Sequence, residues 1–549
     1  DGAPTTQTLS GHTPLNEKVG VGLNIVNDRI GPARETYVDA AFSYTLEVNR
    51  DIELSFGLKA GGQLLDVDYN RLNIYDPTDA NFQPNNVDQK FSPQFGLGAM
   101  LHSDQFYIGL SVPNILQLTI VAVDATGKVL EQDDLTDQYI NCVLKQNLFS
   151  PEIHLLITLS ESKGSLTRFN KVGYQGQELV FLKFTNSLDE AQDNLISMQF
   201  WVERVSGVEI DQSKQSSAFN LHCVSKEGLI NGIQGVNQSF NSTYTDAIRK
   251  IFRNYIFEPS KSYYRKLQNN NQWTLPLLKE IPESPSDITN KFIVPGLNPF
   301  KAIQFCARRN YELYGEEKYK GASWTFFADW NHRYRFENLE YLIKKGKEDA
   351  IDLYMSALPD FNNVNPENKI KEFSKLQPLD NRYNTFEGVY HNKVTAIDYY
   401  GKRWKNTNFN IIGNENEFQQ LGKRVALDKD WLDTFVKDSQ HSQLFFKDTT
   451  KFNAPASQNY ENILTKRRYF YSNLYNTRCE VILEGRNDIS VGQVVNIDMP
   501  EASAAEDEPT RAETKFSGYW LVDNVTHSWS QTEHNTKLSL LKDTPTNVG

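Results

Sequence analysis

Ser517-Gly-Tyr-Trp-Leu-Val-Asp-Asn-Val-Thr-His527 is the stretch whose reading decides the fold class of this chain. Gly518 lets the backbone turn, and the aromatic and β-branched residues that follow, Trp520, Val522 and Val525, suit a pleated strand. Working outward, Glu480-Val-Ile-Leu-Glu-Gly-Arg486 reads as a strand, and Asp488 to Asp498 as a turn at Gly492 leading into Val494, Val495 and Ile497. Asn535-Thr-Lys-Leu-Ser-Leu-Leu541 closes the set. The C-terminal end is therefore a small all-β unit.

At 549 residues the chain exceeds what one hydrophobic core serves, so three to five domains are expected. Hydrophobic residues at 39% and charged residues at 23% place it among folded chains. A net charge of -12 argues against a sequence-independent nucleic-acid binder, which needs an excess of Lys and Arg to neutralise phosphates. There is no apolar run long enough for a transmembrane helix, a test that leaves a membrane β-barrel open. Residue 1 is Asp, which points to a chain processed or excised from a longer one.

Before the C-terminal set the pattern changes several times. Residues 1–115 carry strands at hairpin spacing: Val19 to Val26, Thr36 to Val48, Ile52 to Val67, Gln94 to Leu101 and Phe106 to Val112. Soluble-type strands follow from Leu118 to Val224, with Leu179 to Phe184 nearly continuous in apolar residues. Tyr244, Ile248, Ile251, Phe252, Tyr255 and Ile256 then form a helical stripe capped by Ser242 or Thr243. Asn298-Pro299 opens a second helix carrying Ile303, Phe305 and Ala307. Trp324 to Trp330 and Tyr334 to Phe336 flank Asn331-His332 as an aromatic hairpin. Residues 357–385 read as a loop-rich connector, Tyr390 to Tyr400 as a strand, and Asn459 to Leu474 as a helix.

Two resemblances attach to these motifs. The runs Leu9-Ser-Gly-His-Thr-Pro-Leu15, Asn27-Asp-Arg-Ile-Gly-Pro32 and Phe106-Tyr-Ile-Gly-Leu-Ser-Val-Pro113 resemble part of the PorP/SprF family of type IX secretion membrane proteins. The C-terminal order of glycine turns and Val/Ile/Trp strands is similar to the closing barrel of contractile-tail baseplate hubs, the family that includes the base of type VI secretion spikes. That second resemblance spans residues 116–549. It implies a mostly β fold with α+β insertions and two tail-tube-like β-barrels. Residues 116–240 would form the first barrel and 241–385 an α+β domain. Residues 386–405 with 476–545 would form the second barrel, interrupted by a helix-containing insertion at 406–475, and residues 1–115 would be a β-meander segment. It further implies a homotrimeric structural hub of a virion tail baseplate. That hub joins the tail tube protein to the central spike and other baseplate subunits, with DNA only in passage. The first resemblance implies instead an outer-membrane component of type IX secretion or gliding machinery. A tail-associated cell-wall hydrolase is a third reading.

Residue chemistry gives no catalytic, cofactor-binding or metal-binding set, and no enzyme activity or cofactor is expected. GxSxG, HExxH and Walker A motifs are missing from the sequence. Cys142, Cys223, Cys306 and Cys479 lack metal or disulfide spacing and read as buried reduced thiols. His527 and His534 lie on strands separated by a turn and suit a structural hydrogen bond better than a metal. Asp66-Val-Asp68-Tyr-Asn70 lacks the glycine and distal glutamate of a calcium loop. The acidic run Glu501 to Glu513 reads as a solvated loop or a contact with a neighbouring subunit.

Overall fold

The computed structural model describes residues 5–14, 16, 18–30, 33–49, 52–67, 87–102, 107–111, 116–123, 129–136, 138–162, 176, 178–184, 196–211, 216–260, 289–310, 321, 323–330, 333–355, 368–377, 381–399, 401–411, 420–422, 442–447, 460–499, 516–530 and 533–543. The chain divides into two units, Asp1–Ile115 and Leu116–Gly549. The run Glu501 to Glu513 and Asp68 to Asn70 lie outside the described residues.

The first unit is a six-stranded antiparallel meander. Its strands are β1 (Thr5–Pro14), β2 (Val19–Ile30), β3 (Ala33–Asn49), β4 (Ile52–Val67), β5 (Val87–His102) and β6 (Tyr107–Ser111), paired in chain order. β1 was not among the expected strands, because its polar residues carry no apolar alternation. By register Leu9, Leu23, Val38, Phe42, Tyr44, Leu46 and Phe56 share one face. On the other face the hydroxyls of Thr45 and Ser55 sit 2.8 Å apart.

The second unit contains, in chain order, β7 (Leu116–Val123), β8 (Val129–Asp134), β9 (Tyr139–Asn147), β10 (Ser150–Ser162), β11 (Leu179–Phe184), β12 (Ile196–Asp211) and β13 (Ser216–Ser225). After the helix Lys226–Ile233 come β14 (Val236–Ser242), the helix Tyr244–Phe252, β15 (Asn290–Leu297), the helix Pro299–Ala307, β16 (Trp324–Asp329), β17 (Arg333–Asn338) and the helix Leu339–Glu348. The remainder is β18 (Ile351–Tyr354), β19 (Ile370–Gln377), the helix Asn381–Phe386, β20 (His391–Asp398), β21 (Arg403–Asn410), β22 (Ser442–Lys447), the helix Tyr460–Leu474, β23 (Thr477–Glu484), β24 (Val494–Asp498), β25 (Gly518–Ser530) and β26 (His534–Lys542).

The mostly β class with helical insertions is as expected, but the two expected barrels are two strand series inside one thirteen-stranded sheet. Among the described residues the end of β18 meets the residue before β19 through one parallel bridge, Tyr354 with Lys369, and no full ladder closes a barrel there. The pairing order runs β19-β23-β26-β25-β9-β10-β13-β12-β11-β7-β8, with β24 on β25 and β18 on β24. Two local expectations change. The strand around 390–400, placed with residues 476–545 by resemblance, pairs instead with β21 and β22 in its own three-stranded sheet. The connector 357–385 contains β19, which takes the edge beside β23 in its stead. Ile370-Lys-Glu-Phe-Ser-Lys reads poorly as a strand because its apolar positions are too few to show period two.

The two series repeat one pairing scheme. β9 lies on β10 as β19 lies on β23, and β10 on β13 as β23 on β26. The β12–β13 hairpin corresponds to the β25–β26 hairpin, with β11 on β12 and β24 on β25. Both hairpins carry an irregularity at a corresponding place, after Val202 and after Val522, and β12 carries a second one between Ser206 and Glu209 that β25 lacks. The sequences superpose there as Trp201-Val-Glu-Arg-Val205 over Leu521-Val-Asp-Asn-Val525. The outer strands differ: β7 runs antiparallel to β11, whereas β18 runs parallel to β24.

The helices close the core of the second unit. Thr243 caps Tyr244–Phe252, its Oγ1 accepting from Asp246 N at 3.0 Å. That helix buries Tyr244, Ile248, Ile251 and Phe252 of the expected stripe, and Ile256 is buried in the π-helical turn that continues it. Asn298 precedes Pro299 as expected but makes no side-chain cap; Asn231 accepts from Phe300 N at 2.8 Å instead. Phe252, Phe300, Phe326 and Tyr334 meet at centroid distances of 5.0–6.1 Å, which joins both helices to the β16–β17 hairpin.

Candidate assembly site at the junction of the two strand series

β25 and β9 join the two series. Asn524 lies across from Asn147 and Ser530 from Asn141, in an antiparallel ladder along the edge of β25 opposite β26. The same edge of β25 carries β24 further back, at Gly518 to Leu521. Side chains fasten the joint: Asn147 Nδ2 donates to Asn524 Oδ1 at 2.6 Å, and Tyr139 Oη to Ser530 O at 3.2 Å. Leu148 N donates to Asp523 O at 2.8 Å, and Thr325 Oγ1 to Leu148 O at 2.7 Å. These polar groups keep backbone atoms satisfied where the sheet changes from one series to the other.

Behind the ladder lies an aromatic and imidazole cluster. His527 Nδ1 and His534 Nε2 are 3.0 Å apart, so one ring donates its N–H to the lone pair of the other. Trp529 stacks on both, at 5.4 Å and 15° from His527 and 4.8 Å and 20° from His534. Phe184, from the first series, meets Trp529 edge-on at 5.0 Å. Trp330 covers His527 at 4.9 Å and donates its Nε1 to Ile489 O at 3.3 Å. Burial holds the His527 pKa down to about 3. The same cause, with His527 beside it, depresses His534. Both rings are neutral in the folded chain at neutral pH. Gly485 makes room for them: a Cβ there would fall 2.0 Å from His534 Nδ1.

Arg486 sits beside this cluster with almost no exposure. Its guanidinium donates to Asp488 at 2.7 and 2.5 Å and to Asn368 Oδ1 at 2.8 Å, and Thr536 Oγ1 both receives Arg486 N and donates to Arg486 O. The buried Lys542 donates to Ser517 O at 2.7 Å and lies 5.2 Å from the Trp520 ring. Burial raises Asp523 to about 6 against the lowering effect of Arg478, 3.5 Å away. These groups fasten strands to one another, which is a mechanical task.

His527 and His534, expected to make structural hydrogen bonds, lie within hydrogen-bonding distance of each other. The four cysteines are buried free thiols. Among the described residues no three His, Cys, Asp or Glu side chains converge on a metal position. Asn147, Asn524 and Thr325, which fasten the joint, were not legible in the sequence. Each is an ordinary polar residue whose partner lies far along the chain.

The first unit presents a different surface. Leu9 is 67% exposed, and Leu23, Phe42, Tyr44, Leu46 and Phe56 are 40–48% exposed, all on one face. Monomeric soluble proteins rarely expose contiguous apolar area of this kind. Among the described residues no helix is long and apolar enough to cross a membrane, which says nothing of strands.

A family model described as type IX secretion system membrane protein PorP/SprF matches residues 1–160, less than a third of the chain. The match runs past the unit boundary at Ile115 almost to the end of β10. No curated protein matches. Among solved structures, the chain is similar to the 43 kDa tail protein of prophage MuSo2 from Shewanella oneidensis, at 8% identity and a TM-score of 0.42 over 79% of this chain and 100% of that one. A tail protein from Neisseria meningitidis MC58 gives 11% identity and a TM-score of 0.42 over 78% and 97%. The E. coli c3393 protein, a component of the type VI secretion system, gives 8% and 0.35 over 75% and 76%. Similarities this weak carry no assignment of function.

Proposed function

We propose that residues 116–549 are a structural hub of a contractile-type tail. Three copies would form a ring that joins a tail tube on one side to a central spike on the other. The supporting observation is the repeated strand series, linked edge to edge by β25 and β9 inside one polypeptide. A chain with two similar units presents six of them as a trimer, which reconciles a six-fold tube with a three-fold spike. Large strand-to-strand surfaces serve that task. The acidic balance of the chain suits a conduit through which DNA slides without sticking. Tail tube, spike and other baseplate subunits are its partners in a virion baseplate, and its role is structural rather than enzymatic. The test is the mass of the purified chain and its projection down the assembly axis by electron microscopy. A trimer with six similar densities is expected; a monomer that ignores its spike partner sinks the reading.

A second reading belongs to residues 5–111, on the strength of their exposed apolar face. We propose that this face contacts lipid, as the outer wall of a membrane β-barrel does. Six strands in an open meander leave two edges, so further strands must complete any such wall. Partitioning of the chain into lipid vesicles tests it: retention in the aqueous phase counts against lipid contact.

A further inference from the structure

The sheet of β20, β21 and β22 has two unlike faces. Its inner face packs on the helix Tyr460–Leu474: Asn392, Val394 and Ala396 are buried, Phe409 meets Tyr469 at 5.5 Å, and Asn392 Nδ2 donates to Thr465 O at 3.5 Å. Period two then puts Trp404, Asn406 and Asn408 of β21 on the outer face, across from Ile397, Thr395 and Lys393 of β20. All three β21 residues are exposed, Trp404 by 70%. A single exposed ring needs no special cause. The row behind it is more specific. Thr395 Oγ1 donates to Asn406 Oδ1 at 2.9 Å, which fixes the amide and turns its two N–H donors away from β20. The outer face of β21 thus offers a flat apolar ring and then oriented amides, over about 13 Å along the strand.

The turn between the strands holds cations beside that row. Gly401 N donates to Asp398 Oδ1 at 2.8 Å, and Lys402 takes a left-handed φ of 47°. A Cβ at Gly401 would fall 2.3 Å from Asp398 Oδ2, so the turn is tight and sets Lys402 and Arg403 next to Trp404. From His391 to Asn410 the hairpin carries Lys393, Lys402, Arg403 and Lys405 against one carboxylate, Asp398. Asp398 belongs to the inner face, across from Arg403, and among the described residues the outer face of this hairpin holds no acid. In a chain of net charge -12 this is a local reversal of sign.

We propose that the outer face of the β20–β21 hairpin binds an acidic polysaccharide, a chain of uronate sugars. One sugar lies on Trp404, hydroxyls meet Asn406, Asn408 and Thr395, and carboxylates lie near Lys393, Lys402 and Arg403. The C–H face of a pyranose is apolar and weakly positive, which matches the negative face of an indole ring. Oriented amides and a hydroxyl exchange hydrogen bonds with sugar hydroxyls on equal terms. Charge complementarity draws a polyanion to the hairpin, while the acidic balance of the rest of the chain turns it away from other surfaces. Single-stranded nucleic acid fits less well, because its bases stack on successive rings and the row behind Trp404 holds only amides. Oligomeric state plays no part in this site, so it goes beyond the hub reading and neither rests on the other.

The experiment titrates the full chain with a galacturonate hexamer by calorimetry, at low and at physiological salt. Binding that weakens several-fold with salt is expected. Trp404→Ala should weaken it about tenfold and Asn406→Ala about threefold. The double variant Lys402→Gly, Arg403→Gln should remove most of the salt dependence. Because these residues are exposed, the urea midpoint of each variant should match the parent, which separates lost binding from lost fold. The inference is overturned by a hexamer that does not bind, by equal binding of a neutral galactose hexamer, or by tighter binding of hexaglutamate or a thymidine hexamer. Galacturonate binding that survives Trp404→Ala unchanged overturns it as well.

Discussion

The six-stranded sheet of the first unit and the thirteen-stranded sheet of the second draw on the same apolar and polar alternation and put it to opposite use. In the second unit the apolar side chains are shut away: Trp520, Val522, Leu538 and Leu540 have no exposure. In the first, Phe42 and Phe56 stand nearly half exposed on a face that nothing within their own sheet covers. Period two places residues on a face, and it does not say what that face meets. Helices and hairpins fold over the second sheet, whereas the first calls for cover from outside.

The largest effect expected from this contrast is on stability. Trp520→Ala should cost about 3–5 kcal/mol, as a large buried ring leaves a cavity. Phe42→Ala should change the stability of the chain in water by no more than ~0.5 kcal/mol. Urea unfolding of both variants measures the difference, and equal losses would break the comparison. Next comes lipid. Phe42→Lys and Phe56→Lys should each weaken partitioning into vesicles, by up to about 2–4 kcal/mol where the position lies near mid-bilayer. Flotation with liposomes reads this out, and unchanged flotation would remove lipid as the cover.

Acid should act on the second unit. His527 and His534 are held far below the ordinary histidine value of 6.5, so the unfolded chain binds protons that the folded chain refuses. Their contribution is complete above pH 6.5 and is lost progressively as pH falls below it. Asp523, raised from 3.8 to about 6, works in the opposite sense between those values. Two histidines outweigh one carboxyl, and a net loss of roughly 2–3 kcal/mol between pH 7 and 5 follows from ~1.4 kcal/mol per unit per group. Denaturant midpoints across that range should fall, and the double variant His527→Gln, His534→Gln should flatten the fall or reverse it. The smallest effect is local: Thr243→Ala removes one helix cap and should cost about 1 kcal/mol in the same unfolding assay.

Much of the fold was legible in particular residues. Gly492 and Gly518 were read as turn points, and both have positive φ, 82° and 102°. The stripe from Tyr244 to Ile256 gave a helix, and Trp324 to Phe336 gave a hairpin, since apolar period and turn chemistry act over a few residues. β19 was missed because its strand character comes from its partner β23. The cap on Pro299–Ala307 was assigned to the neighbour Asn298, where Asn231 supplies it from 69 residues away. Of the junction, a structural hydrogen-bonding role for His527 and His534 was legible in the sequence, and the fold makes each the other's partner. Asn147 with Asn524 was not, being separated by 377 residues.

The order of amino acids by itself determined most strands, the helices and the burial of the cysteines. These follow from side-chain size, polarity and backbone freedom, which act locally. Tertiary structure alone decided which strand lies beside which. Pairing is a choice among many edges of similar local chemistry, settled only when distant segments bury their faces together. The repeat of the two series belongs to that second level.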